Sequence, residues 1–126
     1  MVSFPDGIEA YATKHSDRES SLLYDLSKET KTITNSDAID SLHTIGTLLR
    51  LLVQVSGAKK ALEIGTYTGY TTLSIAMGLE DSGNVITLDE NNAMTEVAKR
   101  YWEQSHLGTC IELRVGVPLE SLESME

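Results

Sequence analysis

The sequence predicts an α/β fold in which a parallel sheet carries helices on both faces. Three observations carry that expectation. Short apolar runs recur at Lys60–Gly65, Asn84–Asp89 and Ile111–Val115; segments of helical spacing separate them; and further helical segments come before the first run. Strands joined through helices of this length require right-handed crossovers and hence parallel pairing.

Taken in order, the first third reads as helices. A short one is expected from Ile8 to about His15. Ser16 and Glu19 have the spacing of a capping box ahead of Leu22, Leu23 and Leu26. Lys28 to Asn35, polar and rich in threonine, reads as a connecting loop, with Ser36 or Asp37 capping the next helix. That helix is the clearest: Ile39, Leu42, Ile45, Leu49, Leu52 and Val53 recur at three- and four-residue steps, and Gly57 stands where a left-handed terminator is wanted. Beyond the first strand a helix is expected over Thr71 to Leu79, and a polar turn over Glu80 to Gly83. After the second strand, Asn91 caps a helix whose apolar face is Met94, Val97, Ala98, Tyr101 and Trp102. Gly116 leads from the third strand into a short helical pattern with Leu119, Leu122 and Met125. The chain is read as a single domain, 1–126, with N-terminal helices over 1–57 and the βαβαβα unit over 58–126.

With 126 residues, 40% of them hydrophobic and interleaved with charge, the composition is that of a globular chain that buries one core. A formal charge of -9 repels phosphate backbones and anionic lipid, so neither nucleic acid nor a membrane surface is an expected partner. The apolar stretch Leu48–Val55 is interrupted by Arg50 and Gln54 and is far too short to cross a bilayer. The lone cysteine, Cys110, has no disulfide partner and no secretory leader is evident, which predicts a cytoplasmic setting.

The chemistry concentrates in Glu63-Ile64-Gly65-Thr66-Tyr67-Thr68-Gly69-Tyr70-Thr71, at the carboxyl end of the first strand, where open parallel sheets bind ligands. Gly65 and Gly69 let backbone approach a ligand, although a bare tight turn needs glycine too. The second strand ends in Asp89 and Glu90. An acid at that point accepts hydrogen bonds from both hydroxyls of a ribose, or simply caps a solvated turn. Dinucleotides and S-adenosylmethionine both suit a strand-loop-helix-strand-acid unit. The dinucleotide pattern wants a second glycine where this chain has Tyr67, and Glu63 repels phosphate but attracts an ammonium group, so the zwitterionic ligand fits better.

These residues, with Lys60-Ala61-Leu62 before them and Val85-Ile86-Thr87-Leu88-Asp89 after, resemble the cation-dependent O-methyltransferase family, which includes the caffeoyl-CoA and catechol O-methyltransferases. The resemblance runs from about Ser36 to Leu122. It implies a Rossmann-like fold that binds S-adenosylmethionine and methylates a small catechol-like molecule. On that resemblance Glu63, Gly65 and Thr66 line the methionine part of the cofactor, Thr71 offers its hydroxyl to the methionine carboxylate, and Tyr67 and Tyr70 wall the loop. Asp89, with Glu90 beside it, binds the ribose; Gly116 to Pro118 lie along the adenine; and Ser41, five residues before Gly46, makes another cofactor contact. Where the family often has Gly-Pro-Ala after the third strand, this chain has Gly116-Val117-Pro118.

In the family a divalent metal such as magnesium is held on segments that follow the fourth strand, so a metal is expected only in a full-length member and no catalytic residue is assigned here. His15, His43 and His106 lack metal-ligand spacing. The family strand order 3-2-1-4-5 would leave the first strand of this chain as an exposed edge. That predicts a homo-oligomer paired through the edge, or a longer polypeptide. Two other readings stay open: a non-catalytic assembly or regulatory module that retains the sheet, and a nicotinamide-dependent oxidoreductase. Cys110, Tyr101 and Trp102 read as packing residues, the last two setting their helix on the sheet, and Lys59 and Lys60 as surface charges.

Overall fold

The computed structural model describes residues 5, 7–35 and 41–125. Its elements, in chain order, are α1 (Ile8–Lys14), α2 (Ser21–Thr34), α3 (Leu42–Ser56), β1 (Lys60–Ile64), α4 (Tyr70–Gly78), β2 (Asn84–Asp89), α5 (Asn92–Trp102), a 3-10 turn (His106–Cys110), β3 (Ile111–Val115) and α6 (Pro118–Glu123). The three strands are parallel in the order β1-β2-β3, so among the described residues β1 has a strand on one side only.

The N-terminal helices depart from the sequence reading in three ways. The capping box at Ser16 and Glu19 does not form. Ser16 Oγ donates to the Ala12 carbonyl at 2.7 Å, and α2 is capped by Ser20, whose Oγ accepts from the Leu23 N–H at 3.3 Å. Nor is Lys28 to Asn35 a loop, because α2 continues to Thr34. Thr30, Thr32 and Thr34 each return a hydroxyl to the carbonyl four residues back, and Thr30 is fully buried. Packing here overrides the modest helix propensity of threonine, and the helix ends only at Asn35, with a left-handed φ of 47°.

The third departure concerns which side of α3 is packed. Ser36, Asp37 and Ile39, assigned to its start, lie outside the described residues. Gly57 ends it with φ 62°, as expected. The stripe that meets the core is Leu42, Gly46, Leu49 and Val53, whereas Ile45 and Leu52 face outward with Leu48 and Val55. Two glycines explain the rotation. A Cβ on Gly46 would sit 2.5 Å from Ser74 Oγ, and one on Gly78 would sit 2.7 Å from the Arg50 carbonyl, so side chains of α4 seat on α3 at Gly46 and the α3 backbone seats on α4 at Gly78.

The strand register sorts the sheet into two faces. Ala61, Val85 and Ile111 form one row and Glu63, Thr87 and Leu113 the next; both lie beneath α4 and α5. The opposite face holds Leu62, Ile86 and Glu112, then Ile64, Leu88 and Arg114. Leu88 is fully buried, and α6 contacts β2. Leu62 and Ile64 stay half exposed.

One buried cluster joins Leu23 and Leu26 of α2, Tyr70 and Leu73 of α4, and Val97, Ala98, Tyr101 and Trp102 of α5. Tyr101 does not stop at the sheet: its hydroxyl donates to Glu29 at 2.7 Å and ties α5 to α2, while Arg100 pairs with the same carboxylate. Asn91 caps α5 as expected, accepting from the Met94 N–H at 3.2 Å, and Pro118 occupies the first turn of α6, where its missing N–H costs nothing.

Candidate functional site

Three strand ends set side by side create the site. Past β1, the Gly65 N–H donates to the Leu88 carbonyl at 2.8 Å; past β3, the Gly116 N–H donates to the Asp89 carbonyl at 2.9 Å. Gly65, Asp89 and Gly116 therefore form a row along the carboxyl edge of the sheet. Gly65 (φ 95°) and Gly116 (φ 153°) would each direct a Cβ into space with no atom within 4 Å. Their torsions leave the backbone open to a ligand.

Gly69 has a different task. Its φ is 81°, and a Cβ there would lie 2.6 Å from Trp102 Cζ2 and 2.7 Å from Ala98 Cβ. Trp102 Nε1–H also donates to the Gly69 carbonyl at 3.1 Å. This glycine lets α5 pack against the start of α4 and does not face a ligand. Trp102, which the sequence reading set on the sheet, is thus a support of the loop.

Between the glycines, Tyr67 holds a left-handed φ of 52°, a conformation that costs a non-glycine residue roughly 1–2 kcal/mol. It is held there by its N–H, which donates to Asp89 Oδ2 at 2.7 Å. Asp89 Oδ1 accepts from the Asn91 N–H at 2.8 Å. Each carboxylate oxygen retains one further acceptor position, which two neighbouring hydroxyls would fill. Glu90 is exposed immediately beyond. Because the Tyr67 N–H is committed to a carboxylate, it is not available to a phosphate, which weakens the dinucleotide reading.

Glu63, at the end of β1, accepts three hydroxyl protons. Thr71 donates to Oε1 at 2.6 Å, Thr87 to Oε2 at 2.7 Å, and Thr72 also to Oε2. Thr71 therefore offers its proton to Glu63 and not outward. The anion-attracting groups at this point are the first N–H groups of α4, which no side chain caps. Thr66 and Tyr70 are 1% and 3% exposed and support the loop from beneath. Tyr70 donates to Glu19 Oε1 at 2.5 Å; burial, reinforced by that carboxylate, pushes its phenol well above the ordinary range and keeps it a donor. The Thr68 hydroxyl meets that of Thr30 at 2.8 Å, so α2 braces the loop as well.

Ser41 sits at the start of α3, and Pro118 at the start of α6, two residues beyond Gly116. The sequence reading did not single out Thr72 or Thr87, and it placed Trp102 against the sheet without its bond to the Gly69 carbonyl. Threonine on an inward strand position was the available signal for Thr87, since a hydroxyl among Val85, Ile86 and Leu88 demands a partner. Among the described residues no three of His, Cys, Asp and Glu gather into a metal-binding group. Burial pushes the Cys110 thiol up, consistent with a packing role.

Comparison with known proteins shows the family. The sequence profile of an O-methyltransferase family matches residues 13–126. A probable caffeoyl-CoA O-methyltransferase of Dictyostelium discoideum is 27% identical over 98% of this chain and 54% of its own length. The caffeoyl-CoA O-methyltransferase of Petroselinum crispum is 35% identical over 64% of this chain and 33% of its own. Among solved structures, an O-methyltransferase from Bacillus cereus in complex with SAH superposes with a TM-score of 0.81 at 30% identity, covering 94% of this chain and 53% of that one. The chain thus spans between a third and about half the length of these relatives.

Proposed function

Because the chain belongs to the O-methyltransferase family, we propose that it binds S-adenosylmethionine at the carboxyl ends of β1, β2 and β3, as the cofactor-binding part of an enzyme that methylates a hydroxyl of a small, catechol-like molecule. The observation that carries this reading is the row Gly65, Asp89 and Gly116, flanked by Glu63. It pairs open backbone with three vacant acceptor positions, two on Asp89 and one on Glu63. Acceptors in that pattern suit a ligand with two ribose hydroxyls at one end and an ammonium at the other. They do not suit a pyrophosphate.

When bound, the cofactor supplies an activated methyl group on a sulfonium sulfur. This chain's residues bind and orient it: Asp89 holds the ribose, Glu63 takes the ammonium, the uncapped start of α4 faces the carboxylate, and Gly116 leaves room for the adenine. The reading includes a cytoplasmic setting, supported by a single half-buried cysteine. No described helix is long and apolar enough to cross a membrane.

Self-association belongs to the same proposal. Among the described residues β1 pairs only with β2, its Leu62 and Ile64 stand half exposed, and Ile45, Leu48, Leu52 and Val55 line the outer side of α3. A second copy pairing through that edge would cover both. Light scattering should report a dimer that a Leu52→Glu change converts to monomer; a monomer at high concentration counts against it.

The cofactor reading is tested by calorimetric titration with S-adenosylhomocysteine and, separately, with NAD. Saturable binding of the first alone is expected. Asp89→Asn should weaken it about tenfold, the loss of one hydrogen bond to a charged group. Comparable affinity for NAD, or no binding of S-adenosylhomocysteine by the folded chain, would overturn the reading.

A further inference from the structure

We propose that Thr87, a strand residue with no access to ligand, is a positioning residue for the amino-acid end of the cofactor, acting through Glu63. The inference rests on the cofactor reading above and adds the origin of its preference for an ammonium group. Thr87 is fully buried in the middle of the sheet, directly opposite Glu63 in the β1–β2 register. Its single hydroxyl proton goes to Glu63 Oε2 at 2.7 Å. The Thr66 hydroxyl lies 2.6 Å from Thr87 Oγ1, and since the Thr87 proton is spent, Thr66 is the donor in that pair. The direction of the chain is fixed: Thr66 donates to Thr87, and Thr87 donates to Glu63.

The consequence falls on Glu63. A carboxylate has about four acceptor positions. Thr87 and Thr72 occupy both on Oε2, and Thr71 occupies one on Oε1. One position remains, on the same oxygen that Thr71 engages at the first turn of α4, and Gly65 leaves open space two residues along the chain. Three hydroxyl donors hold the carboxylate stationary, and the group complementary to its one open acceptor position is a cation with a proton to give. Removing the Thr87 hydroxyl frees a position on Oε2, strands the Thr66 proton inside the sheet and lets the carboxylate turn. The adenosine end, held by Asp89, is unaffected.

The test uses two ligands on the full chain. S-adenosylhomocysteine carries the amino-acid end; 5′-methylthioadenosine keeps the adenosine and thioether and lacks it. Thr87→Val preserves shape and should weaken the first about tenfold, as expected for one hydrogen bond to a charged group, while leaving the second within about twofold. Thr87→Ser should restore wild-type binding of both. Glu63→Gln, which keeps the side-chain shape and removes the charge, should show the same selective loss and serves if Thr87→Val fails to fold. Equal weakening of both ligands would mean general damage to the sheet and would overturn the proposal, as would unchanged binding of S-adenosylhomocysteine. If the folded wild type binds 5′-methylthioadenosine but not S-adenosylhomocysteine, the amino-acid end has no seat and the proposal falls; if it binds neither, the cofactor reading falls first.

Discussion

Replacing Gly65 and Gly69 in turn by alanine separates two reasons for a glycine within one short loop. Both have positive φ, 95° and 81°, so each alanine costs roughly 1–2 kcal/mol of backbone strain, partly offset by the reduced freedom of the unfolded chain. Gly65→Ala adds nothing further, because its Cβ meets no atom within 4 Å. Gly69→Ala must also displace Trp102 and Ala98 from 2.6 and 2.7 Å, an overpacking that costs roughly 1–3 kcal/mol more. The expected losses are thus about 1 kcal/mol for Gly65→Ala and about 2–5 kcal/mol for Gly69→Ala. For a chain of this size each kcal/mol lowers Tm by roughly 3–6 °C. Urea titration followed by the fluorescence of Trp102, the single tryptophan, reads both, and its native emission should shift only in Gly69→Ala. Calorimetry should show the reverse ranking for ligand: Gly65→Ala, whose methyl enters the open space, abolishes S-adenosylhomocysteine binding while the chain stays folded. Equal destabilisation by the two changes, or undiminished binding by Gly65→Ala, would refute the assignment of Gly65 to the ligand and Gly69 to packing.

Two further outcomes follow from the same contacts. Ser20→Ala should destabilise by about 1 kcal/mol through loss of the α2 cap, measured by urea midpoint, whereas Glu19→Gln should leave that helix capped. The Arg100 guanidinium, then Tyr101, hold Glu29 below the ordinary carboxylate range, and burial followed by Glu29 pushes Tyr101 up to about 12. A depressed acid stabilises the fold above its unfolded pKa and loses that contribution as pH falls through the folded one. Glu29→Gln should therefore be less stable than wild type at neutral pH, with the gap closing below about pH 4.5, near the reference value; a gap independent of pH would show that the pair contributes nothing.

Legibility varied with the range of the forces involved. Strands β1, β2 and β3, the Asn91 cap and the Gly57 terminator were legible because each depends on local periodicity or on one residue's torsional freedom. Lys28 to Asn35 was misread because a threonine-rich stretch has weak helix propensity, and only burial of Thr30 against Thr68 repays its ordering. The capping box was misread because two serines, Ser16 and Ser20, both stand before the same apolar run, and spacing does not choose between them.

By itself the sequence determined the α/β alternation, the family to which the glycine loop belongs, and the placing of an acid at the end of β2, since these are properties of chain order and residue type. Tertiary structure alone decided which side of α3 packs, because that depends on where Gly46 and Gly78 let α3 and α4 approach closely. It alone separated the roles of Gly65 and Gly69, identical in sequence terms and distinguished only by whether Trp102 lies in the path of a Cβ. And it alone brought Thr66, Thr87 and Glu63 into one chain of hydrogen bonds. A hydroxyl's partner is set by strand register across 24 residues of sequence, and no pattern within a single strand encodes it.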